Sequence, residues 1–169
     1  MKKLIWLIGT VLVAFFVYMV ALPYLTFSQI KAAALENDSE VLSEKIDFTV
    51  LKQNLKEQLI EQVTNYKMSE MKDNPIGVLA IATVSVVVDG KVESYVSPAG
   101  LASLMEGKIP GEDESAEKGE PLKNAKYGFE SAIEFSVSVP DDKGEEIRFI
   151  LLRDGLDWKL ENIVLPGSD

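Results

Sequence analysis

Hydrophobic and polar positions fall into three regimes along the chain. The first is a block: Leu4 to Leu22 is nineteen residues without a charge. As a helix at about 1.5 Å per residue it is roughly 28 Å long, close to the hydrocarbon thickness of a bilayer. Lys2 and Lys3 precede it, and the next charge is Lys31. Trp6, Tyr18 and Tyr24 fall near its ends, where amphipathic rings prefer the membrane interface. Pro23 is expected to end or kink this helix.

The second regime has helical spacing. Phe27, Ile30, Ala34 and Leu35 share a face before Asn37-Asp38 interrupts. Asp38 caps a short helix through Val41, Leu42 and Lys45. Asp47 caps a longer one, with Ile46 and Leu51 as a hydrophobic staple. Leu51, Leu55, Leu59, Val63 and Tyr66 make one apolar stripe. Lys52, Asn54, Lys56, Glu57 and Glu61 are expected to face away. From Asn74 to Ser97 two readings compete. Asn74-Pro75 starts a helix, and Val92, Tyr95 and Val96 keep helical spacing. Yet Ala82 to Val88 is β-branched and Asp89-Gly90 signals a hairpin. Ser97-Pro98 then caps a helix through Leu101, Leu104 and Met105, stopped by Gly107.

The third regime alternates. Tyr127, Phe129, Ile133, Phe135, Val137 and Val139 read as one half-buried strand. Pro140 to Gly144 turns the chain, and Ile147 to Arg153 is a second strand. Asp154-Gly155 is read as a two-residue loop of type I′. Leu156, Trp158 and Leu160 belong to the third strand. The loops imply pairs Phe135–Phe149, Val137–Ile147, Ile133–Leu151, Leu151–Trp158, Phe149–Leu160 and Arg148–Glu161. One face then gathers the whole apolar set, Ile133 included. Between the regimes, residues 108–126 are rich in Gly, Pro, Glu, Asp and Lys and read as a flexible acidic loop. The expected fold class is α+β: an N-terminal transmembrane helix, then several helices packed on a C-terminal three-stranded antiparallel meander. Residues 1–26 are the anchor and 27–169 the extracytoplasmic domain.

Charge locates the domain. The chain carries 17 Lys+Arg against 27 Asp+Glu, a net −10. Setting Lys2 and Lys3 aside leaves 15 basic residues against all 27 acidic ones, a net −12. The positive end stays cytoplasmic, which places the N-terminus inside and the domain in the periplasm. Secretion after signal-peptide cleavage is the rival, with Ala32-Ala33-Ala34 as the fitting site. The acidic balance repels nucleic acid and anionic lipid surfaces.

Composition also limits chemistry. The chain has no Cys and no His, which removes disulfides, thiolate nucleophiles, imidazole bases and zinc fingers. Asp47, Asp154, Asp157 and Glu161 are the candidate acid–base carboxylates of a hydrolase-type alternative in a helix–sheet cleft. Ser97 and Lys159 are a candidate dyad. Glu112-Asp113-Glu114 offers hard oxygen ligands but lacks a calcium-loop pattern. Each carboxylate has a structural use as cap, turn or strand-surface residue. No enzyme, cofactor or metal is therefore expected.

Ile46-Asp47-Phe48, Ser97-Pro98-Ala99-Gly100-Leu101 and, most specifically, Leu152-Arg153-Asp154-Gly155-Leu156-Asp157-Trp158-Lys159-Leu160 through Ile163-Val164-Leu165-Pro166 carry a resemblance. It is to a bacterial family catalogued as domain of unknown function 2939. The resemblance implies helix for the middle segment. Lys52 to Leu55 departs from the family's pattern, which has Arg in this helix, so no role for that Arg carries over. Helices before a curved sheet also look like the cystatin/nuclear-transport-factor-2 type of cone, which licenses no function. Two non-catalytic readings stand. One is a module holding a small or lipidic ligand in a pocket lined by Phe135, Phe149, Leu151 and Trp158. The other is an envelope interaction module contacting a partner protein. A cavity of several hundred Å³ beneath the sheet would favour the first. A filled core with an exposed apolar patch would favour the second.

Overall fold

The computed structural model describes residues 2–70, 77–111, 120–141 and 143–167 of the 169-residue chain. The Asn74-Pro75 cap and the Glu112-Asp113-Glu114 cluster lie outside these residues. So do residues 112–119 of the 108–126 loop and the side chain of Tyr66. Among the described residues, five helices precede a four-stranded antiparallel sheet.

α1 runs from Lys2 to Glu36 without a break, with Pro23 inside it. Pro23 thus does not end the helix. It forfeits one backbone hydrogen bond, while the turn after it is held by packing: Phe27, Ile30, Ala33 and Ala34 are buried. Leu35 is exposed instead of sharing that face, and Ala33 takes its place. The earlier part of the helix is apolar yet exposed, from Val11 to Tyr18.

α2 (Ser39–Lys45) begins at Asp38, whose carboxylate accepts from the N–H groups of Glu40 and Val41. α3 (Phe48–Glu70) is capped the same way by Asp47, through Thr49 and Val50. Ile46, Leu51, Leu55 and Leu59 are buried, as the staple and stripe require.

α4 (Gly77–Val96) settles the ambiguous segment as helix, with Asp89-Gly90 inside it. Tertiary packing overrides local propensity here. Val88, Val92, Tyr95 and Val96 are buried on one face. On the other, Asp89 and Glu93 meet Lys56 (2.6 Å) and Lys52 (2.7 Å) of the antiparallel α3. Those two lysines therefore bridge helices instead of facing solvent alone. α5 (Pro98–Met105) starts at Ser97, whose Oγ accepts from Gly100 N–H at 3.0 Å.

The sheet has order β1-β2-β3-β4. The long first strand of the sequence reading is two strands, β1 (Lys126–Phe129) and β2 (Glu134–Pro140). The chain reverses between them, with the N–H groups of Glu130 and Ser131 donating to Glu134 O. Ser131 explains the break. It occupies a position that an unbroken strand would bury, and it accepts from Ile133 N–H in the turn instead. Ile133 consequently projects outward instead of joining the core.

β3 (Glu146–Asp154) pairs with β2 two residues off the expected register: Phe135 faces Leu151, and Val137 faces Phe149. The Asp141 carboxylate draws in the N–H groups of Lys143 and Glu145, so the loop closes after Pro140. The shift is even, so the buried face is unchanged.

β4 (Asp157–Val164) is joined through Gly155-Leu156, not Asp154-Gly155. Gly155 takes positive φ (64°) while Leu156 does not, the pattern of a type II′ turn. Trp158 therefore faces Arg153, and Leu160 faces Leu151. A bulge at Glu161 then shifts the pairing, so Arg148 meets Val164, not Glu161. The bulge turns Ile163 and Leu165 into the core.

Candidate functional site

The apolar face of the sheet is filled by aromatic side chains. Tyr24 of α1 stands edge-on to Phe135, ring centroids 4.6 Å apart, and stacks on Tyr127 at 5.9 Å. Phe27 meets Phe149 at 5.4 Å. Phe129 bridges Phe135 (5.0 Å) and Trp158 (6.0 Å). The four residues proposed from sequence as pocket or core lining, Phe135, Phe149, Leu151 and Trp158, all lie on this face and are buried. The Trp158 indole N–H is buried without a hydrogen-bond partner among the described residues. Burial pushes the Tyr127 hydroxyl above the ordinary tyrosine range.

An open groove of about 400 Å³ lies elsewhere. It is lined by Glu145, Glu146, Arg148 and the segment Val164 to Gly167. None of the four aromatic-face residues borders it. Its Glu146 carboxylate is held below the ordinary range, mainly by a 2.6 Å hydrogen bond from Lys126.

Of the four candidate carboxylates, Glu161 feels the charges of Asp47 and Asp154. Burial, then the charges of Asp47 and Asp154, push Glu161 above the ordinary glutamate range. Asp47 is occupied as the cap of α3. Asp154 contacts Lys159 at 3.3 Å and pairs with Asp157 at the strand end. Ser97 and Lys159 have separate partners: Ser97 Oγ donates to Ser94 O at 2.7 Å. Among the described residues no three carboxylates gather as a metal site.

One polar array was not foreseen. Asn54, Gln58 and Gln62 recur every fourth residue of α3 along the free edge of β4. Asn54 donates to Glu161 O (2.9 Å), Gln58 to Ile163 O (3.0 Å) and Gln62 to Pro166 O (3.1 Å). Gln58 Oε1 accepts in turn from Leu165 N–H. Asp47 N–H donates to Leu160 O (3.0 Å). Side-chain amides thus replace the strand that an edge otherwise invites. Their i, i+4, i+8 spacing was the available signal.

The helices that build this arrangement carry the family signal. A family model described as a protein of unknown function (DUF2939) matches residues 12–104, more than half the chain. The chain belongs to this family. The DUF2939 match takes in Ile46-Asp47-Phe48 and Ser97 to Leu101 but ends before the sheet. The Trp158 segment, which carries the sequence resemblance most specifically, lies beyond it. No curated protein and no solved structure matches this DUF2939 member.

Proposed function

We propose that this DUF2939 chain is a single-pass membrane protein whose domain is a non-catalytic interaction module outside the cytoplasmic membrane. One observation carries the reading. α1 is a single helix whose first half is apolar and exposed and whose second half is built into the domain core. The apolar half is long enough to span a bilayer. Cleavage at Ala32 to Ala34 would cut a buried stretch and remove Phe27 and Ile30 from the core, which favours retention. Lys2 and Lys3 favour a cytoplasmic N-terminus.

Interaction is preferred over a pocket-held ligand because aromatic side chains occupy the space beneath the sheet. Apolar residues stand exposed at the sheet's turns instead. The carboxylate-hydrolase alternative is weaker, since Asp47 and Asp154 already serve as cap and ion-pair partner.

Because the chain has no Cys, introduced thiols report topology without background. In intact cells a membrane-impermeant maleimide should label Glu44→Cys and spare Lys3→Cys. The extracted protein should retain Met1 or Lys2 by intact mass. The reverse labelling, or an N-terminus beyond residue 22, would overturn the proposal.

A further inference from the structure

We propose that the end of the sheet nearest the apolar helix rests in the headgroup layer of the bilayer, with Phe129, Ile133 and Leu156 contacting lipid. This rests on the anchor reading above. The β1–β2 and β3–β4 turns share one end of the meander, and Arg153 N–H ties them by donating to Ile133 O at 2.9 Å. At that end Ile133 is 62% exposed, Leu156 66% and Phe129 43%. Large apolar residues at two adjacent turns are costly in water and favoured at a lipid surface.

The path of α1 shows which way this end faces. Tyr24 packs closest to Phe135 (4.6 Å), in the row nearest the turns, and also reaches Phe129 of that row (6.3 Å) and Tyr127 of the next (5.9 Å). Phe27 lies over the next row inward, at Tyr127 (6.4 Å) and Phe149 (5.4 Å). Read backwards from Phe27 to Tyr24, the helix advances toward the turns, and the apolar run continues in that direction.

Distance closes the argument. Tyr24 is two residues beyond Leu22, about 3 Å along the helix axis. The headgroup layer is roughly 5–7 Å deep on each side. Tyr24 therefore falls inside it, and the Phe129 ring stands beside Tyr24, its centroid 6.3 Å away. Ile133 and Leu156 lie at the turns, on the lipid side of that row. Glu130, Asp154 and Asp157 neighbour them in the chain, and Arg153 and Lys159 offset part of that charge, so the attraction is apolar, not electrostatic, and depends little on salt.

The test uses the full chain in phosphatidylcholine liposomes, with single cysteines carrying an environment-sensitive fluorophore. Ile133→Cys and Leu156→Cys should be quenched several-fold more by lipids spin-labelled near the headgroup than Lys143→Cys, at the far loop. Phe16→Cys should be quenched by deep spin labels. Solvent-like emission at 133 and 156 with Phe16→Cys quenched would overturn the docking and leave the anchor standing. An unquenched Phe16→Cys would overturn both. Shielding at 133 and 156 that rises with protein-to-lipid ratio and ignores lipid quenchers would overturn the docking in favour of a second copy.

Discussion

Gly100 opens the last helix with its α-carbon against the end of α4. A β-carbon there would collide with the backbone carbonyl of Ser94. Backbone cannot give way as a side-chain tip can, so Gly100→Ala must push α5 off α4. It should lower the urea midpoint sharply, whereas Ala99→Gly, on the exposed side of the same turn, should change it little. Trp158 tests a different term. Trp158→Ala empties part of the aromatic face and should cost about 3–5 kcal/mol. Trp158→Phe also releases an unpaired N–H, a relief of roughly 1–3 kcal/mol, so its urea midpoint should stay much closer to the parent. At Glu161 the raised carboxyl fixes the sign of a pH effect. The folded protein keeps that proton to higher pH than the unfolded chain does. Stability therefore falls as pH rises from the unfolded glutamate value of about 4.3 toward the folded one, and the loss persists above it. Glu161→Gln should raise Tm at pH 7, and the difference should vanish below about pH 4.

Elements were legible where one face of one element decides the outcome. The caps Asp38, Asp47 and Ser97 stand where spacing put them, because a cap is local chemistry. The buried face of the sheet was legible for the same reason, since period-two alternation fixes the face. Register depends on loop closure, which alternation does not encode. An error of two residues leaves every face correct, and both hairpins carried that error. Two breaks in the alternation held further information. Ser131 sits at an apolar-phase position and marks the reversal between β1 and β2. Trp158 and Leu160 fall on even positions, Ile163 and Leu165 on odd ones, and the bulge at Glu161 lies between. The candidate site was less legible, because the exposure of Ile133 and Leu156 depends on the two turns that hold them, and their nearness to the membrane on where α1 leaves the sheet. The α3–β4 junction yields its own prediction. Gln58→Ala removes the side chain that bonds both Ile163 O and Leu165 N–H and should lower the urea midpoint, at about 1–3 kcal/mol. Replacing Asn54, Gln58 and Gln62 together should also open the β4 edge. Concentration-dependent self-association in analytical ultracentrifugation would register it.

The whole molecule is organised around a helix that belongs to two environments. With no disulfide available, the domain depends on its apolar core, and α1 supplies part of it through Phe27, Ile30, Ala33 and Ala34. Full burial of one large apolar side chain contributes about 1.5–3 kcal/mol. Total stability of a domain is only about 5–15 kcal/mol. Losing Phe27 and Ile30 together, with the aromatic contacts of Tyr24, would therefore consume much of it. A chain beginning at Pro23 should fold without detergent and unfold cooperatively in urea by far-UV circular dichroism. A chain beginning at Leu35 should lack a cooperative transition. If the shorter chain folded equally well, the second half of α1 would be a mere tether. Its continuity with the apolar run would then say nothing about where the sheet sits. If only the longer chain folds, the helix fixes the sheet's orientation as it leaves the domain, and the turns carrying Ile133 and Leu156 are held toward the membrane by the core itself.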